Sequence, residues 1–421
     1  MRTLAVLGGG SVWTPCLLRE LAMQQPAGGM EVRLQGPREE HLREVALFSH
    51  DEVRDTLRIT WTPVLEDAVD GASVVLNQAR IGGWKARQED EYVAVMLGGV
   101  GDESLGLGGL RAAMRTLPFI EHAASVLRRL APAAWLLNLT NPSDLVARVW
   151  RGAGVRNVMS VCEQPILLAQ EMARLAEDAE ASTRFGFAGM SHVGWLFLPP
   201  DLRLNGLLAA RPDLIPWVRE WGAIPSPWRM IIEDAPGLAR RQLRAPSRRA
   251  QQLASLARRL RSAIRRRAAA QYWALLEQRP PRWYRSVVSP AIVALLGGEP
   301  ARLIAGLSHQ DQLPGLDPQV VVETWARVDA AGAHLERLEG NARCRADVLR
   351  FGASRGFAYA AIRCPEPLTL AQYAGSDPFA PPPGAWHEWL RGLELRSGGP
   401  QGMSRRGRDL SVSWEAHSKW S

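Results

Sequence analysis

Over the first 185 residues, short apolar runs alternate with stretches of helical spacing. Thr3 to Leu7 is an apolar run that ends in Gly8-Gly9-Gly10-Ser11, and a helix-like stretch from Pro15 to Met23 follows. Further strands are predicted at Glu31 to Leu34, Ser73 to Leu76, Trp135 to Leu139 and Asn157 to Cys162, with helical patterns over Arg38 to His50, Leu110 to Leu130 and Pro142 to Gly152 between them. Strand and helix taking turns in this way predict an α/β fold, a Rossmann-type doubly wound parallel sheet over residues 1–185. Beyond it the alternation stops. Long helical patterns over Ser247 to Glu277 and Val320 to Leu338, with a break at Arg279-Pro280-Pro281, predict a mixed α+β, helix-rich second domain over residues 186–396. Residues 397–421 carry Gly, Ser, Arg and Trp with little periodicity and read as a disordered tail.

Composition narrows the class. A chain of 421 residues has room for two domains, and 46% hydrophobic with 22% charged residues is ordinary for a soluble globular protein. No apolar run approaches the ~20 residues of a membrane span. The N-terminus has one Arg before an apolar run that goes straight into glycines, with no cleavable small-residue site, so a cytoplasmic location is expected. Cys16, Cys162, Cys344 and Cys364 are too scattered for a disulfide framework. The net charge of +8 comes from a basic set that is almost all Arg, with Lys only at Lys85 and Lys419. Arg240, Arg241, Arg244, Arg248, Arg249, Arg258, Arg259, Arg261, Arg265, Arg266 and Arg267 fall in one segment with no acidic residue, opposite an apolar stripe of Leu253, Leu256, Leu260 and Ile264. That segment predicts an arginine-faced helix packed on the second domain or at a subunit contact, or forming a wall that attracts a phosphorylated sugar. Nucleic acid is not expected, because no aromatic residue is interleaved before Tyr272 and Trp273.

The glycine turn is the first chemical feature. Glycines between a strand and a helix let a pyrophosphate approach the backbone at a helix N-terminus, so Gly8, Gly9, Gly10 and Ser11 are candidate dinucleotide-binding residues. Trp13 holds the third fingerprint position, where glycine is usual. The second strand ends Arg33-Leu34-Gln35-Gly36 without the Asp or Glu that would meet a ribose, and Arg38 lies close enough to face a 2′-phosphate. NAD is expected, with NADP open. Asn141, in Leu139-Thr140-Asn141-Pro142 at a strand's end, either binds a substrate hydroxyl or caps the helix that follows. Cys162 and His192, each following a strand, are either core residues or the two protein ligands of a divalent metal whose open positions take substrate oxygens.

Taken in order, these motifs resemble a known family. The series is the N-terminal glycine turn, Arg80-Ile81-Gly82-Gly83 with Arg87, Gly101-Asp102-Glu103-Ser104 before Gly108-Gly109, Thr140-Asn141-Pro142, Cys162-Glu163-Gln164-Pro165 and Ser191-His192. It is similar, over about residues 1–340, to glycoside hydrolase family 4, the NAD- and manganese-dependent 6-phospho-glucosidases and α-glucosidases with a lactate/malate-dehydrogenase-like fold. The resemblance implies Cys162 and His192 as ligands of Mn2+ or a similar metal, Arg87 and Asn141 as substrate-binding residues, and Glu163 at a position where Asp is the acid in α-specific members. It implies hydride removal from C3 by NAD, a tyrosine that takes the C2 proton, elimination, and return of the hydride with no net redox. The segment Gly222 to Ile232, where the family carries tyrosines, has none, which leaves Tyr284 as the candidate base, with Arg282 and Arg285 to supply charge. Ser191 replaces an Asn, Glu163 is one methylene longer than Asp, and Gly306 to Gln310 departs from the family's Asn/Arg pattern. The expected activity is a 6-phospho-β-glucosidase acting as a homodimer or homotetramer on a phosphorylated glycoside. A net dehydrogenase of a hydroxy acid or sugar, and a cofactor-binding sensor, are the alternatives.

Overall fold

The computed structural model describes residues 2–24, 29–245, 248–382 and 384–386. The strands, in chain order, are β1 (Arg2–Leu7), β2 (Met30–Gln35), β3 (Leu57–Thr62), β4 (Val74–Asn77), β5 (Trp135–Asn138), β6 (Val158–Val161), β7 (Gly186–Met190), β8 (Val193–Phe197), β9 (Ala223–Pro225), β10 (Ala301–Ser308), β11 (Val321–Asp329) and β12 (Gly332–Leu335). They join one sheet in the order β3-β2-β1-β4-β5-β6-β10-β11-β7-β8-β9, with β12 on β11. The first six run parallel. From β6 onward every pairing is antiparallel. This is the α/β fold that the alternation predicts: β1, β4, β5 and β6 are apolar and almost wholly buried, as parallel strands covered by helices on both faces must be. The second half extends the same sheet and covers it with helices.

Two expectations about elements are corrected. Val320 to Leu338, expected as a helix, is the β11–β12 hairpin, with Asp329 opposite Gly332. Its run Val320-Val321-Val322, followed by Thr324 and Trp325, is β-branched and aromatic, which favours a pleated strand over a helix. Ser247 to Glu277 is two helices, Arg249–Arg265 and Ala269–Leu276, parted where Arg267 adopts a left-handed φ of 52°. Ser247 itself, and the tail 397–421, lie outside the described residues.

The arginine-faced helix buries its stripe of Leu253, Leu256, Leu260 and Ile264, each worth roughly 2 kcal/mol of transfer free energy. It does so against the parallel-sheet half of the molecule. Arg261 donates to the Gly10 carbonyl and pairs with Glu44 at 3.3 Å, and Arg265 pairs with Glu44 at 3.0 Å. The strand order reverses between β1 and β4, so the loops at their carboxyl ends diverge and leave the crevice where doubly wound sheets take ligands. Among the described residues, no helix is long and apolar enough to cross a membrane.

The glycine turn is built by close packing. Gly8 and Gly9 donate their amides to the Gln35 carbonyl at 2.9 and 2.8 Å, tying the turn to the end of β2. A Cβ on Gly9 would lie 2.8 Å from both Cα and Cβ of Leu34, a clash with rigid backbone. Gly9→Ala is therefore expected to lower stability by about 1–3 kcal/mol, read as a shifted urea midpoint; an unchanged midpoint would contradict this packing.

Candidate active site

Loops that follow β5 and β6 meet the turn between β7 and β8. In the first, buried Asn77 donates to Asn138 Oδ1 across neighbouring strands at 2.9 Å. Asn138 in turn donates to the carbonyls of Thr140 and Ser143, fixing the Thr140-Asn141-Pro142 loop, whose Asn141–Pro142 bond is cis. The helix Ser143–Gly152 starts with no side-chain cap, so Asn141 does not serve as one. Neither Asn77 nor Asn138 stood out in the sequence, although each closes a strand.

The second loop carries Cys162 and Glu163. Burial pushes the Cys162 thiol well up, with Glu323, Glu163 and Glu103 acting in the same direction. Burial also lifts Glu163 to about 7, opposed by Arg279, Arg282 and the Trp283 amide, and its buried Oε2 has no partner.

The third is the turn between β7 and β8. Ser191 and His192 both have positive φ, 49° and 75°, the two-residue primed turn that matches the twist of a hairpin, here without the usual Gly or Asn. Ser226 clamps it, donating to the His192 carbonyl at 2.7 Å and accepting from the Gly194 amide at 3.1 Å. Glu323 on β11 accepts the His192 amide; burial and then Asp144 push this carboxyl up to about 8. Burial lowers His192 to about 4, against Glu103 and Asp144, so the imidazole is neutral at pH 7. Its Nδ1 is buried and unpartnered, and the ring stacks on Trp228 at 6.2 Å. Trp228 stands in the segment that lacks tyrosine.

Cys162 and His192 thus share the carboxylates Glu103 and Glu323 as neighbours. A neutral imidazole with a free nitrogen and a half-buried thiol that a metal would deprotonate are chemically suitable donors for a borderline divalent ion. Among the described residues, no group of three or more His, Cys, Asp and Glu is gathered to hold one.

Arg87, expected as a substrate-binding residue, lies in a knot of ion pairs. It is 5% exposed and engaged by Glu91 at 2.7 Å and Glu103 at 2.6 Å. Glu103 also pairs with Arg80 at 2.8 Å. Burial works to raise the Glu103 carboxyl, but Arg87, Arg80 and Arg279 outweigh it and hold it well below the usual range. Aromatic rings support this knot: Arg80 lies over Trp84, Arg279 over Trp13 and Trp283, and Trp13 packs on Trp84. The tryptophan in the fingerprint's third position therefore closes the turn against the arginine loop. Arg279 was missed, though it adjoins the Pro280-Pro281 break.

Tyr284 is placed differently. It is 2% exposed in the main core and donates to Gln78 Oε1 at 2.7 Å. Gln78 Nε2 donates to Gly8 O and Thr14 Oγ1, so the tyrosine braces the glycine turn from behind. Burial drives its phenol up, the wrong direction for a base. Arg282 lies against Glu163 instead.

Arg355, from the helix Ala342–Arg363, joins the loops. It makes two 2.7 Å bonds to Asp144 and longer contacts to the Ser104 carbonyl at 3.4 Å and Ser191 Oγ at 3.5 Å. No sequence signal marked it.

Asp102 gives a pH test. Its carboxylate accepts the amides of Ser104 and Leu105 at 2.7 and 3.1 Å, yet burial lifts it to about 6 from 3.8. A raised carboxyl stabilises the fold below its unfolded pKa, and that contribution is lost as pH rises through about 6. Asp102→Asn keeps the accepting oxygen and removes the charge. Its Tm relative to the parent should rise between pH 4 and pH 8; a constant difference would contradict the burial of this charge.

Residues 3–177 match the model for family 4 glycosyl hydrolases. Over 195 residues the chain is 29% identical to the 6-phospho-beta-glucosidase BglT of Thermotoga maritima, covering 46% of this chain and 47% of that one. Over 245 residues it is 25% identical to a maltose-6′-phosphate glucosidase of Bacillus subtilis, covering 55% and 52%. The matches span about half the length of these curated relatives. The structure of the Thermotoga maritima 6-phospho-beta glucosidase with manganese, NAD+ and glucose-6-phosphate superposes with a TM-score of 0.82 at 20% identity, covering 96% of this chain and 99% of that one. Malate dehydrogenase from Plasmodium falciparum shares the fold more distantly, with a TM-score of 0.51 at 12% identity over 86% of this chain and 99% of that one. Residues 3–177 are thus similar to the family 4 glycosyl hydrolases, and the chain shares the fold of the solved structures it superposes on.

Proposed function

We propose that this chain hydrolyses a 6-phospho-β-glucoside with a nicotinamide dinucleotide and a divalent metal. The observation that carries the reading is that a neutral His192, its Nδ1 free, and the half-buried Cys162 share the carboxylates Glu103 and Glu323 as neighbours. The relatives support the substrate class, and BglT among them supports the β anomer. Cys162 and His192 would hold the ion, and Gly10, Ser11 and the start of the helix Thr14–Met23 would line the dinucleotide. When bound, the dinucleotide exchanges a hydride with the sugar while the ion polarises the adjoining oxygens.

The chain's own residues do the remaining work. Asn141, which caps no helix, is available to a sugar hydroxyl. Arg87 acts through its pair with Glu103, which presents a fixed carboxylate beside the metal pair. Glu163, with a buried and unpartnered Oε2, is the group we assign to moving the proton at C2, in place of Tyr284. A mixed set of relatives, acting on α- and β-phosphoglucosides, surrounds this reading.

The test is cleavage of 4-nitrophenyl β-D-glucoside 6-phosphate with Mn2+ and NAD+ or NADP+. Turnover should require both additions, slow with deuterium at C2, and leave no reduced cofactor accumulating. Cys162→Ser and His192→Ala should each abolish it. Glu163→Gln should lower kcat by roughly 10²–10⁴-fold. Tyr284→Phe should cost stability of about 1–3 kcal/mol through the orphaned Gln78, with kcat nearly unchanged. Full activity in Cys162→Ser would overturn the metal pair, reduced cofactor formed in step with product would make the protein a net dehydrogenase, and faster α cleavage would reverse the anomer.

A further inference from the structure

The crevice that the glycine turn opens onto has a second wall, at the end of β2. Gln35 brings no carboxylate to it: its side-chain amide donates to the Pro63 carbonyl at 3.1 Å and its own carbonyl is taken by Gly8 and Gly9. Gly36 follows, with no side chain, and the nearest atom to a Cβ placed there is Leu42 Cδ2 at 3.5 Å. Arg38 then sits extended and exposed at the start of the helix Glu39–Val53.

A distant helix adds to this place. Arg261 reaches the Gly10 carbonyl across 251 positions of sequence. His41 packs against the same glycine, its Cβ 3.1 Å from where a Gly10 Cβ would stand. Arg261 and Arg38 both bear on the His41 ring, which burial first and then these two cations keep uncharged at pH 7. Gly10, His41, Arg38 and Arg261 therefore converge beside the glycine turn. The carboxylates nearby are Glu40, which acts on His41, and Glu44, which is shared between Arg261 and Arg265.

A ribose with free 2′- and 3′-hydroxyls is held by a carboxylate acceptor at the end of the second strand, and a 2′-phosphate is repelled by one. This wall has the opposite character: a glycine where bulk would obstruct, and guanidiniums, whose planar donors suit phosphate oxygens. We infer that the site takes the 2′-phosphorylated dinucleotide, NADP, in preference to NAD, with Arg38 and Arg261 as the phosphate partners and Gly36 making room. The inference rests on the glycine turn being a dinucleotide site.

Binding of reduced cofactor to the full chain, followed by nicotinamide fluorescence and by the shift in Tm, separates the two claims. NADPH should bind at least about tenfold more tightly than NADH, the scale of one charge-assisted contact. Arg38→Ser should remove most of that preference while leaving NADH affinity and the unliganded Tm unchanged, since Arg38 is exposed. Arg261→Gln should do the same to the preference, and Gly36→Asp should invert it. Equal or tighter binding of NADH by the parent chain would overturn the inference and leave the dinucleotide site standing. Binding of neither would overturn both.

Discussion

The pair of Arg355 and Asp144 is the constraint on which the site's geometry depends. Both side chains are almost fully buried, and the two bonds between them are parallel and 2.7 Å long. Burying two charges costs several kcal/mol per ion before their attraction is counted, so such a pair is poor evidence of stability as such. What it does is specify position. Asp144 begins the helix after the Asn141 loop, Ser104 follows Glu103, and Ser191 precedes His192, and one guanidinium touches all three. Breaking one partner away would leave the other charged and buried, so the three loops are held in one arrangement.

In that arrangement the proposed ligands Cys162 and His192 come from different parts of the sheet. Cys162 follows parallel β6, while His192 comes from an antiparallel hairpin that reaches the sheet only through β10 and β11. The inserted strands set the spacing and Arg355 sets the approach. The arginine-faced helix does the comparable task at the glycine turn, which it meets at Gly10.

The first half of the fold was legible because its signals are local. Strand runs at Thr3, Glu31, Ser73, Trp135 and Asn157, the glycine turn and the proline-led helices all declare themselves within a few residues. The Val320 hairpin was misread because a short apolar run without alternation fits either a buried strand or a helix, and only its β-branched content separates them. The helix Ala342–Arg363 passes unnoticed for a related reason: its buried positions, Cys344, Asp347, Phe351, Arg355 and Ala358 among them, include charges and lie on more than one face.

Site residues divided along the same line. Cys162, Glu163 and His192 stand in motifs that can be read from neighbours in sequence. Arg355, Glu323 and Arg279 act across more than 100 positions and carry no local mark. Tyr284 was singled out for its chemistry, but a phenol's role depends on what surrounds it, and an apolar core with Gln78 makes it a brace. Arg87 stands in a readable motif, but its pairs with Glu91 and Glu103 depend on the direction of two carboxylates that the sequence does not encode.

The most direct measurement is Mn2+ affinity, by electron paramagnetic resonance with glucose 6-phosphate and cofactor present, in the parent chain and in the double variant Arg355→Met/Asp144→Asn. The double variant removes both charges of the pair together, and circular dichroism would verify its fold. If the Arg355 frame presents the Cys162 and His192 pair, the folded double variant binds Mn2+ at least about tenfold more weakly, in line with the loss of other outer supports of metal ligands. Parent-like affinity in the folded double variant would contradict the account.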